Sequence, residues 1–291
     1  QLLAHPQSGA SWEGFEIEQV LRIARPDQAY FWATHQGAEL DLLMFKGGKR
    51  VGVEFKRADA PDLIDDELDV LAAWVPLAGQ DIVELGCGAA ALARALLARH
   101  PDVRITGLEV DERQHAKNLA QPQAGLQFVA AGAQDIPFPD ASFDLALMLK
   151  SLHHVPMPQM AKALAEAARV LRPGGHLYVS EPVYGGPFNE VVKTFNDEGV
   201  VRAAAQDAVD EALRGTAWVA AGERRFQMPV RFRDFAEFEQ RLMRPTFADH
   251  RLDDAKIAAA RTAFMPFCGP DGARFERPMH VRLLRRTGVS S

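Results

Sequence analysis

A chain of 291 residues, 47% hydrophobic and 25% charged, has enough apolar material for one large core, or for an ordinary domain plus a small one. No apolar run reaches the length of a membrane span and no charged–apolar–small pattern opens the chain, so neither a spanning segment nor a secretory signal is expected. The net charge of −6 argues against a substrate with a phosphate backbone. Cys87 and Cys268 make neither a disulfide framework nor a zinc site, which fits a reducing cytoplasm. The first residue is Gln1 rather than Met, as expected of a fragment or of a trimmed chain. A late basic run, Arg274, Arg277, Arg282, Arg285 and Arg286, reads as a solvated strand edge and tail rather than a binding patch.

In chain order, Trp12 to Ala24 suits a helix, and Tyr30 to Thr34 is aromatic and β-prone. Glu39 to Phe45 alternates before Gly47-Gly48, a hairpin signal, and Val51 to Lys56 is the return strand. These make a small α+β fragment over residues 1–61, ended by an acidic seam that contains Pro61. From residue 62 to 291 helices and apolar strands alternate, the mark of a parallel α/β sheet. Strands are expected at Asp81–Gly86, Arg104–Glu109, Leu126–Ala131, Phe143–Met148 and His176–Ser180. Helices are expected at Asp66–Trp74, Ala89–Arg99, Arg113–Ala120 and Met160–Leu171, the last closed by a turn at Arg172–Gly175. Phe188 to Leu213 reads as helical and outside the alternation, a lid over about 186–225. Phe226–Phe232 and Met279–Leu284 are the last two strands.

Gly86-Cys87-Gly88 ends one strand and opens a helix, where bare backbone lets a ligand approach. The loop also fits the dinucleotide pattern G-x-G-x-x-G/A, with Glu109 where a ribose-binding acid belongs, so a nicotinamide enzyme has to be weighed. Glu84 turns the balance. Its carboxylate suits a cationic methionine end and would repel a pyrophosphate.

VELGCG, GLEVD, AQDIPFPDASFD, LHHV and RVLRPGGHL occur in this order between about Leu63 and Pro182. Together they resemble the type-11 class I methyltransferases. The resemblance implies an α/β, Rossmann-like methyltransferase sheet with helices on both faces, S-adenosylmethionine as cofactor and no metal. It places Gly86, Cys87 and Gly88 against the methionine part, and Glu109, with Val110 beside it, on the ribose. Gly132, Ala133 and Gln134 border the adenine, and Leu149, just after the fourth strand, is counted with the cofactor-binding residues. Many relatives carry Asp in place of Gly132, and Gln134 can substitute through its amide oxygen; Ala90 stands where a third glycine is common. His153, His154, Glu181 and Tyr184 are the catalytic candidates, at the rim where open α/β sheets place ligands. They serve a small or medium organic acceptor, with a protein or nucleic-acid acceptor as the nearer rival.

In the first segment, Glu18, Asp41, Glu54 and Lys56, with SGASWEGFEIEQVL, YFWATHQGAELDLL and VGVEFKR, resemble the PD-(D/E)xK nuclease-like domain found at the end of prokaryotic AAA ATPases. The match stops after E-x-K, without the helix and strand that complete such a core. A structural remnant is the favoured reading, with metal-dependent nuclease or DNA-associated activity as the alternative.

Overall fold

The computed structural model describes residues 20–22, 24–33, 39–53, 62–245 and 250–288. The chain divides into two compact units, Gln1–Pro61 and Asp62–Ser291.

In the first unit, β1 (Gln28–Ala33), β2 (Glu39–Lys46) and β3 (Lys49–Val53) form an antiparallel sheet in that order. Gly47 and Gly48 make the expected hairpin turn, with Lys46 opposite Lys49 and the Gly47 N–H donating to Asp27 at 2.9 Å. Leu42 and Met44 supply its buried face. Residues 20–22 and 24 are helical; the rest of the expected helix, with Glu18, Glu54 and Lys56, lies outside the described residues. Asp41 is placed by its backbone in β2.

The second unit follows the alternation read from the sequence. It runs α1 (Glu67–Trp74), β4 (Asp81–Leu85), α2 (Ala91–Arg99), β5 (Arg104–Leu108), α3 (Glu112–Leu119), β6 (Leu126–Val129) and β7 (Phe143–Leu149). After these come α4 (Met160–Val170), β8 (Leu171–Pro182), α5 (Gly186–Val192), α6 (Gly199–Arg214) and β9 (Trp218–Phe232). The chain continues through α7 (Phe235–Phe238), α8 (Asp254–Phe264), β10 (Cys268–Gly269) and β11 (Gly272–Arg286). Asp66 and Asp111 cap α1 and α3 by accepting backbone N–H bonds. The helix α4 forms because Met160, Ala163, Leu164, Ala167 and Ala168 line one face, which buries against the sheet.

The sheet order is β10–β11–β8–β7–β4–β5–β6, with β9 paired to the other edge of β11. The strands β6, β5, β4, β7 and β8 are parallel; β11 is antiparallel to both β8 and β9. Alternate residues feed two cores. Val83, Leu85, Ala146 and Met148 join α4 and α6 on one face, and Ile82, Leu145 and Leu147 join α1 and α2 on the other. Strand order reverses between β4 and β7, which sets a ligand crevice at their carboxyl ends.

Three differences from the sequence reading have physical causes. Arg172–Gly175 is not a separate turn: Phe143 pairs with Leu171 and Leu145 with His176, so the Pro-Gly-Gly stretch bulges within β8. The helix α6 packs Ala205 and Val209 into the core with Leu177 and Leu284, and β9 starts at Trp218, so most of the expected lid is structural cover and sheet. The helices α7 and α8, unforeseen, join α5 in a phenylalanine-rich cluster of Phe188, Phe195, Phe232, Phe235, Phe238, Phe264 and Phe275. Among the described residues no helix is long and apolar enough to cross a membrane.

Candidate functional site

At the carboxyl end of β4 the chain turns through Gly86, whose φ of +79° is left-handed. A Cβ built there would meet the Ser151 Cβ at 3.0 Å, so glycine is needed for both backbone angle and space. The N–H groups of Gly86 and Cys87 both donate to the Leu108 carbonyl, at 3.0 and 2.8 Å, tying the loop to the end of β5. Asn118 of α3 donates to the Gly88 carbonyl at 2.7 Å. Ala90, which caps α2, sits at φ 55°, a left-handed conformation costing a non-glycine residue about 1 kcal/mol.

Two acids flank this bend. Glu109 accepts from the Gly88 N–H at 2.8 Å through Oε2 and from the Asp111 N–H at 2.9 Å through Oε1. Glu84 is 4% exposed, and its Oε2 is buried with no partner. Burial pushes its carboxyl up to about 8, against the opposing pull of Lys150. The Cys87 thiol is also pushed up, by burial and then by Glu84 and Glu109, which keeps it protonated and unreactive.

These groups open into a cavity of about 820 Å³. Glu84, Gly86, Cys87, Gly88, Glu109, Val110, Gly132, Ala133, Gln134 and Leu149 all line it. Gln134 folds back over Gly132: a Cβ at Gly132 would lie 2.6 Å from the Gln134 Oε1. Sequence reasoning missed Glu67 of α1 and Met228 of β9, which also line the cavity. Glu67 accepts from Lys150 Nζ at 3.1 Å and so holds that lysine, which also lines the cavity. Truncating Glu109 to Ala is expected to free the loop and weaken S-adenosylhomocysteine binding by about 1–3 kcal/mol in calorimetry; an unchanged affinity removes Glu109 from the site.

The catalytic candidates divide. His154 lines the cavity and also a smaller pocket next to it, and His153 lines only the smaller pocket. Glu181 faces neither. It is 1% exposed, accepts from the Leu152 N–H at 2.8 Å, and pairs with His153 Nδ1. Tyr184 also lines neither; its exposed ring bonds Asp197, which holds the phenol above its ordinary range. The basic run is not uniformly solvated either: Arg282 is buried against Asp210 and Gln206, and Arg277 lines the smaller pocket.

Residues 83–179 match the family model described as a methyltransferase domain. This stretch is a class I methyltransferase domain, the S-adenosylmethionine-dependent kind. The 27-O-demethylrifamycin SV methyltransferase of Amycolatopsis mediterranei is 39% identical over 119 residues, 39% of this chain and 43% of that protein. The chain spans about half the length of the curated methyltransferases that it matches. The YcgJ protein of Bacillus subtilis is similar in fold, with a TM-score of 0.54 at 17% identity, over 76% of this chain and 98% of that one. Residues 8–68 match a domain of unknown function, DUF4143. An uncharacterized protein of Mycobacterium tuberculosis is 44% identical over 59 residues, 20% of this chain and 13% of its own length.

Proposed function

We propose that this chain binds S-adenosylmethionine in the large cavity and transfers its methyl group, by in-line displacement, to a small or medium organic acceptor. The observation that carries the reading is the buried, unpartnered Glu84 Oε2 at the glycine bend. A cationic methionine end favours the ionised carboxyl and satisfies that oxygen, whereas a dinucleotide pyrophosphate brings no cation to do so. Glu109 keeps lone pairs beyond its two backbone bonds and would take the ribose hydroxyls. Gln134, lying where an acidic side chain would reach in relatives, would offer its amide oxygen to the adenine amino group.

When bound, the sulfonium supplies an already activated methyl group. The chain has then to hold the acceptor, exclude water and take up a proton. We assign the last task to His154, a reading supported by its bordering both cavities. Burial, with His153 beside it, lowers its pKa to about 4, so at neutral pH the ring is uncharged. Glu181 serves as a positioning residue: it fixes His153, whose ring lies 4.1 Å from that of His154.

Calorimetry with S-adenosylmethionine, S-adenosylhomocysteine and NAD tests the assignment. Binding of both sulfur ligands is expected, followed by labelled methyl incorporation from a small-molecule extract; preferential binding of NAD would overturn it.

A further inference from the structure

The smaller pocket, about 150 Å³, shares Lys150 and His154 with the cofactor cavity. Phe188 and Phe195 supply apolar lining, and Arg202, Arg241 and Arg277 line the pocket with them. Most of its cations are matched. Lys150 Nζ lies 3.1 Å from Glu67, Arg202 Nη2 lies 2.6 Å from Glu198, and Arg241 Nη1 lies 3.2 Å from Glu237. The other oxygen of Glu198 accepts from Asn196 at 2.9 Å, so the carboxylate in the pocket wall is already committed.

Arg277 differs. Its guanidinium lies over the Phe188 ring, 4.7 Å from the centroid, and makes no hydrogen bond or ion pair among the described residues. Its Nε is buried without a partner. Burial, reinforced by Arg202, lowers its pKa to about 10, which still leaves the group charged at neutral pH. A half-buried guanidinium with no bonded counter-ion among the described residues marks a place for an anion, because the acids that act on it, Glu198 and Glu67, are already bonded to other groups. His153, His154 and Glu198 bring ligand atoms within 4.8 Å of one another, a spacing that could suit a metal. Arg202 and Asn196 occupy Glu198, Glu181 occupies His153, and the surrounding cations oppose a divalent ion.

We propose that this pocket binds a small aromatic acid, its carboxylate paired with the planar fork of Arg277 and its ring against Phe188 and Phe195. The volume is that of a cavity that accommodates one benzene ring. Calling the acid the methyl acceptor rests on the methyl-transfer reading; its binding does not.

The test titrates benzoate, and benzamide as its neutral isostere, into the whole chain with and without S-adenosylhomocysteine. Benzoate is expected to bind about tenfold or more tightly than benzamide. Arg277→Gln is expected to erase that preference and leave S-adenosylhomocysteine affinity unchanged. Arg277→Lys, which keeps the charge without the fork, serves if the first variant does not fold, and should retain only part of the preference. Equal affinities of the wild-type chain for benzoate and benzamide overturn the proposal, as does an undiminished preference in a folded Arg277 variant. Failure of the wild-type chain to bind S-adenosylhomocysteine, with benzoate preference intact, would instead overturn the methyl-transfer reading alone.

Discussion

Gly86→Val is expected to abolish detectable S-adenosylmethionine binding, a loss of about 100-fold or more, equal to roughly 2.7 kcal/mol. The substitution does two things at once. A Cβ at this position meets Ser151 at 3.0 Å and sits at φ +79°, so the bend must open or strain. The valine methyl groups would then project where the ligand has to lie. Calorimetry measures the affinity, and circular dichroism with thermal unfolding verifies that the variant is folded. Affinity within about threefold of wild type in a folded variant would mean that the bend does not contact the cofactor.

Glu84→Gln carries the second large effect, and its signature is a proton. In the free protein burial holds the Glu84 carboxyl at about 8, so at pH 7 it is mostly protonated. A cationic ligand favours the ionised form, so wild-type binding at pH 7 should release close to one proton, read from calorimetric enthalpies in buffers of different ionisation heat. Affinity should tighten about fivefold between pH 7 and pH 8, as the ionised fraction rises. The Gln variant should show neither effect and bind about 10–100-fold more weakly. A proton release equal to wild type in Glu84→Gln would assign the titration elsewhere. The same shift acts on the free fold with the opposite sense. The unfolded chain ionises near 4.5 and the folded one retains its proton to about 8, so stability falls as pH rises through that window.

The parallel strands and the glycine bend were legible because their signals are local. The run Ile82-Val83-Glu84-Leu85 is apolar with one acid, and Gly86-Cys87-Gly88 follows directly. The ten residues expected around the cofactor all border one cavity, since each lies at or just after a strand end. Elements set by distant pairing were not legible. Arg277 stands in a run that looks solvent-facing, yet β11 is clasped between β8 and β9 and turns it toward Phe188 of α5. Glu181 reads as a rim residue, but His280 of β11 pairs across from it and its carboxylate turns inward to His153. The helices α7 and α8 escaped notice because their phenylalanines serve a private cluster rather than the alternating sheet pattern. For the first unit, a hairpin was readable from Gly47-Gly48 and the alternation before it.

The placement of β11 bears on biogenesis. It is the last strand of the described sheet, yet it fills a gap between β8 and β9, which do not pair with each other. A nascent chain still lacking Gly272–Arg286 therefore leaves both neighbours with open, hydrogen-bond-hungry margins, the condition under which polypeptides adhere to one another. Truncation ahead of Gly272 should yield insoluble material rather than a smaller working enzyme, and the same stretch would be missing the arginine that faces Phe188.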